Sequence, residues 1–200
     1  MDPHSMKSFI DAAATNNLAL LSQKIAAGTP VDGKNPEGRT ALLIATHANA
    51  IEAAKLLIDA GADVNAMDNI QDSPFLYAGA EGKLEILKMT VQAGADLDST
   101  NRYGGTALVP AAHHGHVDVV AYLLTTRINK DHINKLGWTA LLEAVILGDG
   151  SDTYQQIVRL LVDAGADISI ADRDGVTPLQ HARNRGQSEI VHILQGVKGN

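Results

Sequence analysis

Asp172-Arg173-Asp174-Gly175-Val176-Thr177-Pro178-Leu179 returns down the chain in variant form. Its core stands as Gly38-Arg39-Thr40-Ala41-Leu42, Gln71-Asp72-Ser73-Pro74-Phe75, Gly104-Gly105-Thr106-Ala107-Leu108 and Gly137-Trp138-Thr139-Ala140-Leu141. The hydroxyl positions 40, 73, 106 and 139 are 33 residues apart, and the last step, from 139 to 177, is 38. A period of this size marks a stacked repeat array, in which one unit cannot bury its apolar face alone and leans on its neighbours.

The unit from Asn101 to Ile133 shows the grammar. A turn-rich stretch, Asn101-Arg102-Tyr103-Gly104, precedes Thr106, whose hydroxyl is expected to cap a short helix over 107–114 that ends at Gly115. From Val117 the apolar residues fall at 117, 120, 123 and 124, the one-sided spacing of a second amphipathic helix. Turn-opening Asn or Asp stands at 35, 68, 101, 134 and 172, where a side-chain oxygen can bond the backbone N–H groups of a tight bend. Gly-Ala-Asp closes units at 61–63, 94–96 and 165–167.

On these residues the chain resembles the ankyrin-repeat family. Asp172 to Leu179 matches the opening of the family phrase, Ala111-Ala112-His113-His114-Gly115-His116 its middle, and Gly61-Ala62-Asp63-Val64-Asn65 its end. The resemblance implies an all-α solenoid of stacked helix-turn-helix units with projecting β-hairpin-like turns and a concave face. It also implies a binding protein without catalytic activity. The expected organisation is a single domain over 6–200, with units near 6–34, 35–67, 68–100, 101–133, 134–171 and 172–200, residues 1–5 reading as an expression scar.

Departures from the pattern carry their own expectations. The family His is replaced by Leu43, Leu76, Val109, Leu142 and Gln180, so its imidazole hydrogen bonds give way to apolar contact. Pro110 falls early in its helix, where it is tolerated. Arg127 takes a glycine slot, at about 1 kcal/mol if the left-handed backbone persists. Residues 149–153 read as an exposed loop inserted between the two helices of the fifth unit. Their Asp-Gly-Ser-Asp resembles the start of a calcium loop, but position twelve is Leu160 rather than a bidentate Glu.

Composition narrows the function. The chain has 200 residues, 45% of them hydrophobic, which suffices for a substantial core. Zero Cys removes disulfides, thiolate metal sites and cysteine nucleophiles. A formal charge of −7 with no basic run argues against nucleic acid. No apolar run approaches the roughly 20 residues of a membrane span, and no secretory signal opens the chain. A monomeric cytoplasmic protein is expected, a signal lost in cloning being the alternative. No motif for a catalytic nucleophile, zinc protease or phosphate loop is present, and no cofactor is expected.

The family's groove and turn slots map here onto Arg39, Ile70, Asp72, Tyr103, His113, His114, Leu136, Trp138, Ile146 and Leu147. Trp138, alone of its kind in the chain, lies near Leu136 in a turn expected to be exposed, one unit from Tyr103. Exposed aromatics grouped in this way mark interaction surfaces, so a protein or peptide partner is expected in a groove centred on units three to five. The bland reading is that Trp138 packs on neighbouring turns and Leu136 closes an irregular junction. As an alternative function, His113, His114 and His116, with a carboxylate or His132, make a metal-dependent or pH-responsive binder.

Overall fold

A computed structural model describes residues 3–196. Residues 1 and 2 of the segment read as a scar, and 197–200 of the last unit, lie outside the described residues. Twelve helices and no strand occur among those described: α1 (Pro3–Ala14), α2 (Leu18–Ala26), α3 (Ala41–His47), α4 (Ile51–Asp59), α5 (Pro74–Ala80), α6 (Leu84–Gln92), α7 (Leu108–His113), α8 (Val117–Leu123), α9 (Ala140–Leu147), α10 (Asp152–Asp163), α11 (Pro178–Asn184) and α12 (Ser188–Gln195). The chain gathers into two compact units. The first runs through Gly79 and from Lys83 to Asp96; the second takes Ala80–Gly82 and the chain from Leu97 on.

In the first unit α1 packs on α2 and α3, α3 on α4, and α4 on both α2 and α6. Phe9, Leu21, Leu42, Leu43, Leu57, Phe75, Ile86 and Leu87 are fully buried there. In the second unit α7, α9 and α11 form one row and α8, α10 and α12 another, with α7–α8, α9–α10 and α11–α12 pairs joining them. Leu108, Leu123, Leu141 and Leu142 fill its interior. Alanines at 41, 45, 107, 111, 112, 140 and 144 are also buried, and their small side chains let the short inner helices approach closely.

The turn chemistry follows the sequence. Oδ1 of Asn35 accepts from the N–H groups of Glu37 and Arg39, and Asp68, Asn101, Asn134 and Asp172 do the same for the residues two and four ahead. Thr40, Thr139 and Thr177 cap α3, α9 and α11 by accepting from the third residue on, and Ser73 does so for Leu76.

Thr106 does not cap, contrary to expectation. In the other turns its counterpart's carbonyl accepts from the fourth residue on: Ile44, Tyr77, Glu143 and His181. In the fourth repeat that residue is Pro110, which has no N–H. The Thr106 carbonyl accepts instead from Val109 at 3.1 Å. This draws away the amide that its hydroxyl would have taken, and α7 starts one residue late, at Leu108. Thr106 Oγ1 is left buried without a partner.

Three further expectations are revised. Arg127 is absent from the left-handed region: α8 stops at Leu123 and Thr125 and Thr126 fold their hydroxyls onto the carbonyls of Tyr122 and Leu123, so the strain is avoided by ending the helix early. Of the inserted residues only 149–151 form a loop, while Asp152 and Thr153 open α10, which is 12 residues long. At the family His slot, Leu43, Leu76, Val109 and Leu142 are buried as expected, but Gln180 is exposed. It makes a reciprocal capping box with Thr177.

Candidate functional site

In the first unit the predicted contact residue Arg39 is already engaged. Its Nε lies 3.2 Å from Oδ2 of Asp68, whose side chain is only 1% exposed. Asp72, which follows on the same turn, is half-buried, and Ile70 at the tip is exposed. Successive tips are tied through backbone: Asn69 N–H donates to the Glu37 carbonyl at 3.0 Å, and Lys34 Nζ donates to the Met67 carbonyl at 2.7 Å. On the inner helices His47 stacks on Tyr77, with ring centres 3.8 Å apart. A cleft of about 810 Å³ lies between α1 and the first tip, lined by Met6, Ile10, Lys34 and Pro36 among others. Sequence reasoning did not find it.

In the second unit the same tip ladder places two predicted residues side by side. Lys135 N–H donates to the Tyr103 carbonyl at 3.0 Å, so Tyr103 and Leu136 occupy equivalent places on adjoining turns. Tyr103 is 59% exposed and Leu136 53%. The Arg102 guanidinium stands 4.8 Å from the centre of the Tyr103 ring. Trp138 is half-buried rather than exposed. Its slot closes the turn, its N–H donating to Asn134 Oδ1 and its carbonyl accepting from Asn134 N–H, which draws the residue toward the helix it precedes. Ile146 is half-buried and Leu147 exposed at the end of α9.

His113 and His114 are brought together, with ring centres 4.6 Å apart. They do not assemble the metal site considered from the sequence. His114 Nδ1 is 2.7 Å and His116 Nε2 3.1 Å from the carbonyl of Ala80, and His132 Nε2 is 2.7 Å from that of Gly104. Each bond commits a ring nitrogen to backbone. Among the described residues no group of three or more His, Asp or Glu converges as ligands would.

His113 turns instead toward Glu143, its Nδ1 3.4 Å from Oε2. Glu143 is 5% exposed and accepts from Asn134 Nδ2 at 2.7 Å through Oε1. Burial raises its pKa above the ordinary carboxylate value, against the opposing pull of the Asn134 bond and the charge of His114. Desolvation, and then His114, lowers that of His113. The His113 carbonyl accepts from the Tyr154 hydroxyl at 2.7 Å, which pins the lengthened start of α10 to the end of α7. Sequence reasoning missed Glu143, although a signal was present. Asn134 and Glu143 stand nine residues apart, as do Asp172 and His181, which meet through Oδ2 and Nε2 at 2.7 Å.

Comparison with known proteins agrees with this architecture. The family described as ankyrin repeats (3 copies) matches residues 9–101 and 75–172. A crystal structure of an ankyrin repeat domain from Acinetobacter baumannii AYE is 58% identical, with TM-score 0.92, over 94% of this chain and 95% of that one. The ankyrin repeat protein EF0377 is 44% identical at TM-score 0.92, over 96% and 98%. The ankyrin repeat domain of Bcl-3, a member of the IkappaB protein family, is 25% identical at TM-score 0.86, over 96% and 86%. The ankyrin repeat protein YahD of Escherichia coli (strain K12) is 46% identical over 52 residues, and that match spans only 26% of each chain. Built from the repeated turn, the capped inner helix and the paired outer helix, the chain belongs to the ankyrin-repeat family.

Proposed function

We propose that this chain is a non-enzymatic protein-interaction module that docks a protein or peptide through its turn tips and the adjoining ends of its inner helices. Ankyrin repeats generally serve protein–protein interaction, which supplies the class of function. The observation that carries the reading for this chain is the tip slot of the second unit, where Tyr103 and Leu136 hold large apolar side chains out to solvent side by side. Apolar groups on a rigid frame favour contact with another surface. In the same reading the chain works as a monomer in the cytoplasm and takes neither nucleic acid nor membrane as partner. Among the described residues no helix is long and apolar enough to cross a membrane.

The test is quantitative capture from a cell lysate on native chain and on a Tyr103→Ala/Leu136→Ala variant of equal helicity. One defined set of proteins retained by the native chain and lost by the variant is the expected result. Equal capture by both removes the tips from the reading.

A further inference from the structure

Each of the two apolar tips of the second unit carries a cation next to its exposed side chain. Arg102 stacks on Tyr103, and Lys135 precedes Leu136. The third tip adds Arg173. Lys135 and Arg173 reach along the row: Lys135 Nζ donates to the Arg102 carbonyl at 2.8 Å, and Arg173 Nη2 donates to the Lys135 carbonyl. Among the described residues neither Lys135 nor Arg173 forms an ion pair. Carbonyl oxygens orient a cation without neutralising it, so the edge keeps its positive charge on a chain whose formal total is −7.

We infer that this edge takes an acidic peptide in extended form, whose carboxylates meet Lys135 and Arg173 and whose apolar side chains cover Tyr103 and Leu136. The inference rests on the interaction-module reading and narrows its partner. Charge selects the peptide and steers it in, while the desolvated apolar contacts hold it. Basic groups beside a tyrosine also suit a single-stranded nucleic acid. One observation favours the peptide: Leu136 offers no aromatic face for a base to stack on, whereas it suits an apolar peptide side chain. Asp174, next to Arg173, marks the end of the basic run.

The experiment is selection from a random-sequence displayed peptide library on the full chain, repeated on Lys135→Glu/Arg173→Glu and on Tyr103→Ser/Leu136→Ser, with circular dichroism to confirm equal folding. Because the changed side chains are exposed at the tips, both variants are expected to retain their helices. The native chain is expected to enrich Asp- and Glu-rich peptides spaced with Leu, Ile or Phe. A selected peptide is expected to bind about tenfold or more weakly to either variant, and to weaken on the native chain as salt is raised.

Enrichment without acidic bias, or no enrichment at all, overturns the inference. So does tighter binding of oligouridine than of any selected peptide, or self-association of the native chain that the charge reversal abolishes. Peptides held equally by native and charge-reversed chains leave the interaction module standing and remove only the acidic-peptide assignment. Failure to select any peptide, together with failure to capture any lysate protein, removes both.

Discussion

Replacing homologous threonines by valine is expected to change stability in opposite directions at different repeats. At Thr40 and Thr139 the hydroxyl accepts from the amides of Leu43 and Leu142, each at 3.2 Å. Losing such a cap costs about 1 kcal/mol. Thr106 is 1% exposed and its hydroxyl has no partner. A buried hydroxyl without a hydrogen bond costs about 1–3 kcal/mol, so replacing it by a methyl group of similar size removes a penalty. Thr40→Val and Thr139→Val should therefore destabilise by about 1 kcal/mol each, and Thr106→Val should stabilise by about 1 kcal/mol.

The proline account can be tested in the same series. Pro110→Ala supplies the missing amide, allowing the Thr106 carbonyl its fourth-residue bond and releasing Val109 N–H to the hydroxyl. In that background Thr106→Val should become destabilising, giving a coupling of about 1–2 kcal/mol in a double-mutant cycle. Urea denaturation followed by circular dichroism reads every variant. Equal costs for the three Thr→Val changes, or no coupling between positions 106 and 110, would refute the reasoning.

Three other outcomes are expected. Gln71 holds φ at +65° in the turn slot that Gly38, Gly104, Gly137 and Gly175 fill elsewhere, so Gln71→Gly should stabilise by about 1 kcal/mol in the same denaturation assay. Gly38→Ala should do the reverse more strongly, because at φ +77° its new Cβ would crowd Asn69 Oδ1 and lie 3.0 Å from the Asn69 backbone nitrogen. Arg39→Ala leaves Oδ2 of the buried Asp68 without its cation, Oδ1 keeping its two backbone N–H groups, and should cost about 2 kcal/mol, whereas Lys55→Ala, which removes an exposed pair, should change the midpoint little. For Glu143, burial raises the folded pKa above the unfolded one. The native fold therefore binds this proton more tightly, and stability falls as pH rises from the ordinary carboxylate value through the raised one. Glu143→Gln should be more stable than native at neutral pH, with the difference closing as acid protonates Glu143 in both states. Melting curves across pH that show a constant difference would count against this.

What could be read from the sequence was local. The five turn oxygens, the caps at Thr40, Thr139 and Thr177 and the family fold all follow from residues within one repeat. The hydroxyl of Thr106 failed because one amide, four residues on, is missing, and the competition between a carbonyl and a hydroxyl for Val109 N–H is not visible in a motif. Arg127 escaped strain by a change of helix length, which slot-by-slot matching assumes to be fixed. Trp138 was read as exposed from its place in a turn, but the last residue of this turn is drawn against the helix that follows. Of the candidate contacts, Tyr103 and Leu136 stand exposed on adjoining turns and His113 adjoins His114, whereas Arg39 is committed to Asp68 and Glu143 was overlooked. A lone acid inside an apolar inner helix reads as an anomaly until its nine-residue spacing from Asn134 is noticed.

The carboxamide and carboxylate oxygens that open the five turns fix the loop backbone in the absence of any visitor. An arriving chain thus meets a surface already set, and little conformational freedom is given up on association. Because those oxygens grip main-chain amides, the two residues at each turn apex can be exchanged without disturbing the frame. On the proposed reading, selectivity is therefore open to revision at Arg102, Tyr103, Lys135 and Leu136 while the scaffold beneath stays the same.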